Sequence, residues 1–122
     1  MNKPSKSKIL KIFISNTDKF KQEPLYEVII YAAKRYGLSG ATAFKGNIGF
    51  GSSSGKISNL RFWEITEKIP VLVMIVDDEE KILSFIKIIT PYFEKIKNSC
   101  LITTEDVEII LHKNGTAKNS LF

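Results

Sequence analysis

The sequence predicts an α+β domain in which a four-stranded antiparallel sheet carries two helices on one face. Two stretches place apolar residues at helical spacing, and strand-like apolar runs precede and follow each of them. The resulting order of elements is β-α-β-loop-β-α-β. The chain has 122 residues, of which 43% are hydrophobic and 25% are charged. It is therefore long enough to bury the core of one such domain.

The first half of the chain begins with a strand and a helix. Isoleucines among lysines predict a strand over residues 8–15. Pro24 favours the first turn of a helix, where its missing N–H leaves no hydrogen bond unmade. The helix carries one apolar stripe, formed by Leu25, Val28, Ile29, Ala32, Ala33 and Tyr36. Gly37 is predicted to follow the helix as its C′ residue.

Strand-like sequences also occupy the middle of the chain. Residues 40–50 predict a second strand, in which the glycines indicate a bulge. Residues 60–66 have the composition of either a strand or an arm of a long loop. After Pro70 the sequence VLVMIVD is almost entirely apolar, which predicts a central strand covered on both faces.

A second helix and a last strand complete the pattern. The helix is predicted over residues 78–97, with Asp77 as its N-cap and Glu80 in the position that completes a capping box. Pro91 within it predicts a kink or a break into two pieces. The sequence DVEIILH predicts the last strand over residues 106–112.

This order of elements is that of the ferredoxin-like double βαβ sandwich, which leaves one face of the sheet without helices. The second and last predicted strands place apolar residues on both of their faces, which favours an oligomer that covers the open face. The folded domain is expected over residues 8–113. A flexible basic N-terminus, residues 1–7, precedes it, and a polar tail, residues 114–122, follows it.

Charge and cysteine content narrow the class of protein. Eighteen Lys and Arg against thirteen Asp and Glu leave a net charge of +5, which suits anionic partners such as nucleotides, nucleic acid or acidic lipid. The single cysteine, Cys100, cannot form an internal disulfide, and one histidine with one cysteine is too few for a metal site. The chain lacks the apolar runs of a membrane helix or a signal peptide, so we expect a cytoplasmic protein.

The segment GNIGFGSSSGK, residues 46–56, has the glycine, serine and lysine content of a phosphate-binding loop. It does not fit a Walker A motif, because five residues rather than four lie between Gly49 and Gly55 and no Ser or Thr follows the lysine. It does not fit the Rossmann fingerprint either, since the third glycine is missing and a strand follows. Two hypotheses stay open: an anion-binding backbone nest assisted by Lys56 and Arg61, or a glycine-rich bulge leading into a disordered tip.

Three stretches of the chain carry a resemblance to a known family. They are LKIFISNTDKFKQEPLYEVIIYAAKRYGLSGATAFKGNIGFG, EKIPVLVMIVDDEEKI and ITTEDVEII, which together run from about Leu10 to Ile110. The PLYE helix start, the GFG strand, the IVD strand and the EDV ending resemble those of the PII-like family called domain of unknown function 190. That family is similar in turn to the PII nitrogen-signalling proteins, which are compact trimers of ferredoxin-like subunits with a long mobile T-loop.

The resemblance implies a homotrimer that binds an adenine nucleotide (ATP, ADP or AMP) in the clefts between its subunits. Residues 52–67 would form the T-loop, which reports ligand binding to a membrane transporter, a channel or an enzyme. With the cations of the glycine-rich segment included, the predicted nucleotide-binding residues are Gly49, Phe50, Gly51, Lys56, Arg61, Lys95, Lys97 and His112.

The sequence departs from the PII pattern in two places. The loop before the last strand is glycine-rich in PII proteins, whereas EKIKNSCLITTED contains no glycine. The pocket must therefore differ from theirs. No tyrosine lies within residues 52–67, which excludes tyrosine uridylylation there, while phosphorylation of Ser52 to Ser54 stays open.

Other functions are compatible with the same topology. An RNA recognition motif shares the order of elements and a basic surface, but VLVMIVD lacks the aromatic and arginine residues of its third strand. Nucleic acid is therefore not the expected partner. An acylphosphatase-like enzyme would need a phosphate-loop arginine, and the only arginines are Arg35 and Arg61. We predict a non-enzymatic regulatory protein, with an RNA-binding module or a ligand-free structural trimer as the alternatives.

Overall fold

The computed structural model describes residues 6–51 and 68–115. In chain order the elements are β1 (Ser7–Ser15), β2 (Lys19–Phe20), β3 (Glu23–Pro24), α1 (Leu25–Arg35), β4 (Thr42–Lys45), β5 (Pro70–Asp78), α2 (Glu79–Ile89), a 3₁₀ helix (Thr90–Phe93) and β6 (Leu101–Val107). Four of the strands form an antiparallel sheet in the order β4-β5-β1-β6, and β2 pairs with β3 in a separate small hairpin. The predicted ferredoxin-like fold is confirmed.

The core lies between the helices and one face of the sheet. Side chains alternate along β1 and β5, so every second residue faces the helices. The buried apolar residues that the two strands contribute to this core are Leu10, Ile12, Ile14, Val71, Val73 and Ile75. The helices contribute Leu25, Ile29, Ala32, Ala33, Ile82, Phe85 and Ile89. Removal of this apolar surface from water is the main term that stabilises the domain.

The opposite face of the sheet, here called the open face, is not covered by either helix. On β5 the open-face residues include Leu72 and Met74, which are half-buried, and Val76, which is exposed. The predicted central position of this strand is confirmed, because it pairs with β1 on one edge and β4 on the other. Helices cover one face of this strand in the single chain, and the predicted cover of its other face stays a prediction.

Backbone groups satisfy the ends of α1. The N–H of Leu25 donates to the carbonyl of Asp18 at 2.8 Å, so Pro24 at the N-cap needs no side-chain cap. At the other end Gly37 has φ +83°, the left-handed conformation predicted for the C′ residue. The N–H of Leu38 then reaches back to the carbonyl of Ala33 at 3.0 Å, which closes a Schellman motif.

The start of α2 differs from the prediction. Its N-cap is Asp78 rather than Asp77, and no side chain caps the helix. The N–H of Glu79 donates instead to the carbonyl of Lys6 at 2.8 Å. Asp77 is buried at the end of β5, where its carboxylate accepts hydrogen bonds from the N–H groups of Ser39 and Asp78. This carboxylate therefore joins the strand to the turn after α1.

The second half of the chain contains a confirmed break and a shifted strand. Helix α2 ends at Ile89, and the 3₁₀ helix that contains Pro91 follows, so the predicted break is confirmed. The last strand is Leu101–Val107, not residues 106–112. Val107 pairs with Ser7, the first residue of β1, so residues beyond it have no partner strand there. The strand therefore ends where its neighbour begins.

The second sheet strand is shorter than predicted. Its continuous part ends at Lys45, although the N–H of Gly46 still donates to the carbonyl of Pro70 and Gly49 forms an isolated β-bridge. The predicted element at residues 60–66 lies outside the described residues. Within residues 6–51 and 68–115, no helix combines the length and apolar character needed to cross a membrane.

Candidate functional site

A cleft of about 660 Å³ lies at one end of the open face. Its floor is a row of apolar side chains that crosses all four strands, here called the apolar row. The strand register places these residues side by side: Phe44, Leu72, Phe13 and Leu101. All four line the cleft, and Phe44 is 50% exposed, so a ring-shaped or apolar ligand group would find contact area there.

The first wall of the cleft is the glycine-rich segment after β4. The N–H of Gly46 donates to the carbonyl of Pro70 at 2.7 Å and fixes the start of this segment against β5. A Cβ on Gly46 would lie 3.0 Å from Pro70 Cγ, and one on Gly49 would lie 3.3 Å from the same atom. A side chain at either position would therefore push Pro70 by a few tenths of an ångström.

Gly51 brings the two walls of the cleft together. A Cβ on Gly51 would collide with the hydroxyl of Ser99 and lie 3.2 Å from Ser99 Cβ. Ser99 belongs to the segment Asn98–Leu101, which forms the second wall immediately before and at the start of β6. The glycine-rich segment and the segment before the last strand are thus in direct contact.

A chain of hydrogen bonds supports the second wall. Asp18 is 3% exposed, and its carboxylate accepts the N–H of Ser15 at 2.8 Å and the side-chain amide of Asn98 at 2.8 Å. The amide oxygen of Asn98 accepts a hydrogen bond from Lys68 Nζ at 3.2 Å. Three parts of the chain therefore meet here: the end of β1, the segment before β6, and Lys68, which lies two residues before β5.

The electrostatics of the cleft favour an anion. Lys68 lines it, and none of its described lining residues is acidic. Lys45 also lines the cleft, but its Nζ lies 5.6 Å from the ring centroid of Tyr26 on α1, a distance suited to a cation–π contact on the helix-covered side. Partial burial raises the pKa of the Cys100 thiol, and the negative charge of Asp18 raises it further.

Some of the predicted site residues lie at the cleft and others do not. Gly49, Phe50 and Gly51 line the cleft and lie against the segment before β6. Lys56 and Arg61 lie outside the described residues, as do all of residues 52–67. Their part in a ligand site stays a prediction.

The other three predicted residues do not line this cleft. Lys95 and Lys97 are exposed on the segment between the 3₁₀ helix and the second wall. His112 was expected in the last strand, which is wrong, because β6 ends at Val107. His112 lies instead in the exposed segment after β6, beside Asp77, Asp78 and Lys81 at the other end of the sheet.

Four polar residues of the site were missed by sequence reasoning. Lys45 had a usable signal, because it directly precedes the glycine-rich segment. Lys68 had a weaker one, since it stands two residues before the central strand. Asp18 and Asn98 are eighty residues apart, and no local pattern in the sequence indicates that they pair. Among the described residues, no group of three or more His, Cys, Asp and Glu side chains could hold a metal ion.

Two solved structures share the fold at low sequence identity. One is CPII, a nitrogen regulatory PII-like protein from Thiomonas intermedia K12 bound to ADP, AMP and bicarbonate, with a TM-score of 0.56 and 20% identity. The comparison covers 84% of this chain and 88% of CPII. The other is a putative PII-like signaling protein from Thermus thermophilus, with a TM-score of 0.53 and 18% identity over 84% of this chain and 90% of that one.

Relatives found by sequence have a higher identity to this chain. A UPF0166 protein of Aquifex aeolicus is 39% identical over 105 residues, which are 86% of this chain and 94% of the relative. Residues 7–109 match the model of the DUF190 family, described as "Uncharacterized ACR", and so include every described residue of the sheet, the helices and the cleft. The chain belongs to the DUF190 family.

Proposed function

We propose that this protein is a PII-like regulatory protein that binds an adenine nucleotide (ATP, ADP or AMP) in the cleft at the end of the open face. The observation that carries the proposal is the meeting of Gly49–Gly51 with Asn98–Leu101 around that cleft. Its volume of about 660 Å³ lies within the roughly 300–1,000 Å³ typical of small-molecule sites. This role is regulatory rather than enzymatic.

The lining of the cleft suits the two halves of a nucleotide. The apolar row offers the surface on which an adenine ring would stack, with Phe13 and Phe44 as its aromatic members. Lys68 offers positive charge for phosphates, and the glycine-rich segment offers backbone N–H groups. The fold shared with CPII, which binds ADP, AMP and bicarbonate, supports the same ligand class.

We further propose that the open face is covered by neighbouring copies in a homotrimer. Several large apolar residues on and beside this face are exposed in the single chain: Phe13, Phe44, Phe50, Leu101, Ile109, Ile110 and Leu111. Contiguous apolar surface of this kind marks an interaction site. Lys95, Lys97 and His112 do not line the cleft of their own chain, so their proposed part is in a cleft completed by a neighbour.

Residues 52–67 are the proposed reporter of ligand binding, together with Lys56 and Arg61 within them. They lie outside the described residues, but Gly51 before them and Lys68 after them both line the cleft. A ligand that contacts these flanking residues differently in two states would shift the population of those states. A transporter, channel or enzyme would then read that state.

Thermal unfolding with ATP, ADP, AMP, cyclic AMP and a short RNA, combined with the mass in solution, tests the proposal. We expect a trimer whose midpoint rises with the concentration of one nucleotide, as mass action requires. Adenosine serves as the control without phosphate, and we expect it to give a smaller rise. A trimer that responds to none of the nucleotides would refute the ligand, and a monomer that responds only to RNA would favour the RNA-binding module.

A further inference from the structure

The buried carboxylate of Asp18 is fully engaged by two donors. Its side chain is 3% exposed, with one oxygen accepting the N–H of Ser15 and the other accepting the amide of Asn98, each at 2.8 Å. A buried carboxylate needs such partners, because removal from water without them is strongly unfavourable. Asp18 therefore fixes the position of Asn98.

Asparagine suits the hydrogen-bonding demands of position 98. A carboxylate only accepts hydrogen bonds and an ammonium only donates them, so the residue between Asp18 and Lys68 must donate at one end and accept at the other. Asn98 does this: its amide nitrogen donates to Asp18 and its oxygen accepts from Lys68 Nζ at 3.2 Å. The orientation of the amide is thereby fixed by its two partners.

No described acidic side chain neutralises the positive charge of Lys68. Asn98 is neutral, and within residues 6–51 and 68–115 Lys68 forms no ion pair. Lys68 and Asn98 both line the cleft, whose described lining contains no acidic side chain. An ammonium has three donors, of which Asn98 accepts one.

We propose that Lys68 contacts the anionic group of the ligand and that Asp18 and Asn98 are positioning residues that hold it at the cleft. This inference rests on the proposed function and names the cation of that same site. Lys68 differs from the lysines and the histidine that the resemblance to PII proteins implied. The anionic group is a phosphate if the ligand is an adenine nucleotide.

A first experiment measures the affinity for ADP of the wild type, of Lys68→Gln and of Lys87→Gln. Lys87 is an exposed lysine on α2 away from the cleft and serves as the matched control. We expect the cleft variant to bind ADP about ten- to a hundredfold more weakly, the range of one hydrogen bond to a charged group. Equal affinities in the two variants would overturn the inference while leaving the proposed function intact.

A second experiment asks whether Asp18 and Asn98 position Lys68 for the ligand or only stabilise the fold. In Asn98→Asp two carboxylates face each other, so we expect a lower unfolding temperature. In the double variant Asp18→Asn with Asn98→Asp, the asparagine at 18 donates to the carboxylate at 98, and the hydrogen bond returns with its polarity reversed. That carboxylate also pairs with Lys68 and neutralises it. We expect the stability to recover while ADP binding stays weak. Recovery of both would show that Asp18 and Asn98 only stabilise the fold, and would overturn their role in positioning Lys68.

A third measurement decides the positioning without any nucleotide. Acetylation rates of individual lysines, followed by mass spectrometry, report how strongly each amine is held. We expect Lys68 to react more slowly than Lys87 in the wild type and to approach the rate of Lys87 in Asn98→Leu. Equal rates in the wild type would overturn the positioning, whereas a wild type that binds no nucleotide would refute the proposed function and leave this result standing.

Discussion

Ile12 and Phe13 are neighbours on β1, yet Ile12 is fully buried against the helices while Phe13 is 41% exposed on the open face. The same contrast holds on β5, where Val73 is buried and Leu72 is half-buried. Both faces of the sheet carry apolar side chains, but only one of them has helices packed on it. The strands therefore hold more apolar surface than the folded chain covers.

The difference separates the residues that make the fold from those available for function. The helix-covered face supplies the buried core, whose removal from water stabilises the chain. Scattered exposed apolar residues are normal on protein surfaces, but a row that crosses four strands forms a contiguous patch. The cleft lies at this row, so the uncovered face is where association and ligand binding would converge.

The largest effect is expected from a cavity on the covered face. Ile12→Ala removes a fully buried side chain, and we expect a loss of about 2–5 kcal/mol in the free energy of unfolding. Phe13→Ala is the matching truncation on the open face, where the side chain is 41% exposed and we expect a clearly smaller loss. Urea denaturation of both variants measures this, and similar losses would contradict the assignment of the core to one face.

A charge on the open face should disrupt association rather than folding. Phe44→Asp places a carboxylate in the proposed interface, where burial without a partner is unfavourable. We expect association at least about a hundredfold weaker, seen as a fall in mass toward the monomer by light scattering. Leu83→Asp, at a residue 46% exposed on α2, is the control and should leave the mass unchanged. Unchanged masses for both would argue against the open face as the interface.

Much of the fold could be predicted because its signals are local. The apolar stripe of α1, Gly37 after it and Pro91 at the break each act within a few residues. The sequence predicts the last strand too far along the chain, because apolar residues alternate more strongly after Glu105. What sets the true strand is pairing with β1, from Phe13 with Leu101 to Ser7 with Val107, which is a long-range property.

The site could be predicted only in part for the same reason. The GFG motif indicated Gly49–Gly51, and these residues do line the cleft. Sequence reasoning could not find the bond between Asp18 and Asn98, because it depends on the fold bringing the end of β1 to the segment before β6. The analogy predicts cations at Lys95, Lys97 and His112, whereas packing places the ammonium of Lys68 at the cleft.

A smaller effect is expected from Gly51→Ala. The added Cβ would meet Ser99, so the two walls of the cleft must separate slightly. We expect about tenfold weaker ADP binding and a change in stability within about 1 kcal/mol. Gly40→Ala is the control, because nothing lies within 4 Å of a Cβ there. If adding Ser99→Gly restores binding, the loss comes from the contact between the two walls, whereas equal losses of binding and stability in Gly51→Ala would argue against a part of Gly51 in the ligand site.

The smallest effect is expected from the ion pair that joins β1 to β6 on the helix-covered side. Lys8 Nζ lies 2.8 Å from Asp106 Oδ1 and 3.4 Å from Glu79 Oε2. The hydrogen bond from Lys8 lowers the pKa of Asp106 below its ordinary 3.8, and the same bond raises the pKa of Lys8 above 10.5. The pair is solvent-exposed on the Asp106 side, so its contribution to stability is small.

The signs of these two shifts define the pH window in which the pair acts. A lowered carboxyl pKa gives stability that is present above the unfolded value and lost as pH falls through the folded value. A raised lysine pKa gives stability that is present below the unfolded value and lost as pH rises through the folded one.

We expect Asp106→Asn to be slightly less stable than the wild type between about pH 5 and 9, with the difference disappearing in acid. Glu94→Gln, which removes an exposed charge without a described ion pair, corrects for net charge. A difference that grows in acid would mean that Asp106 is not held as a carboxylate by Lys8.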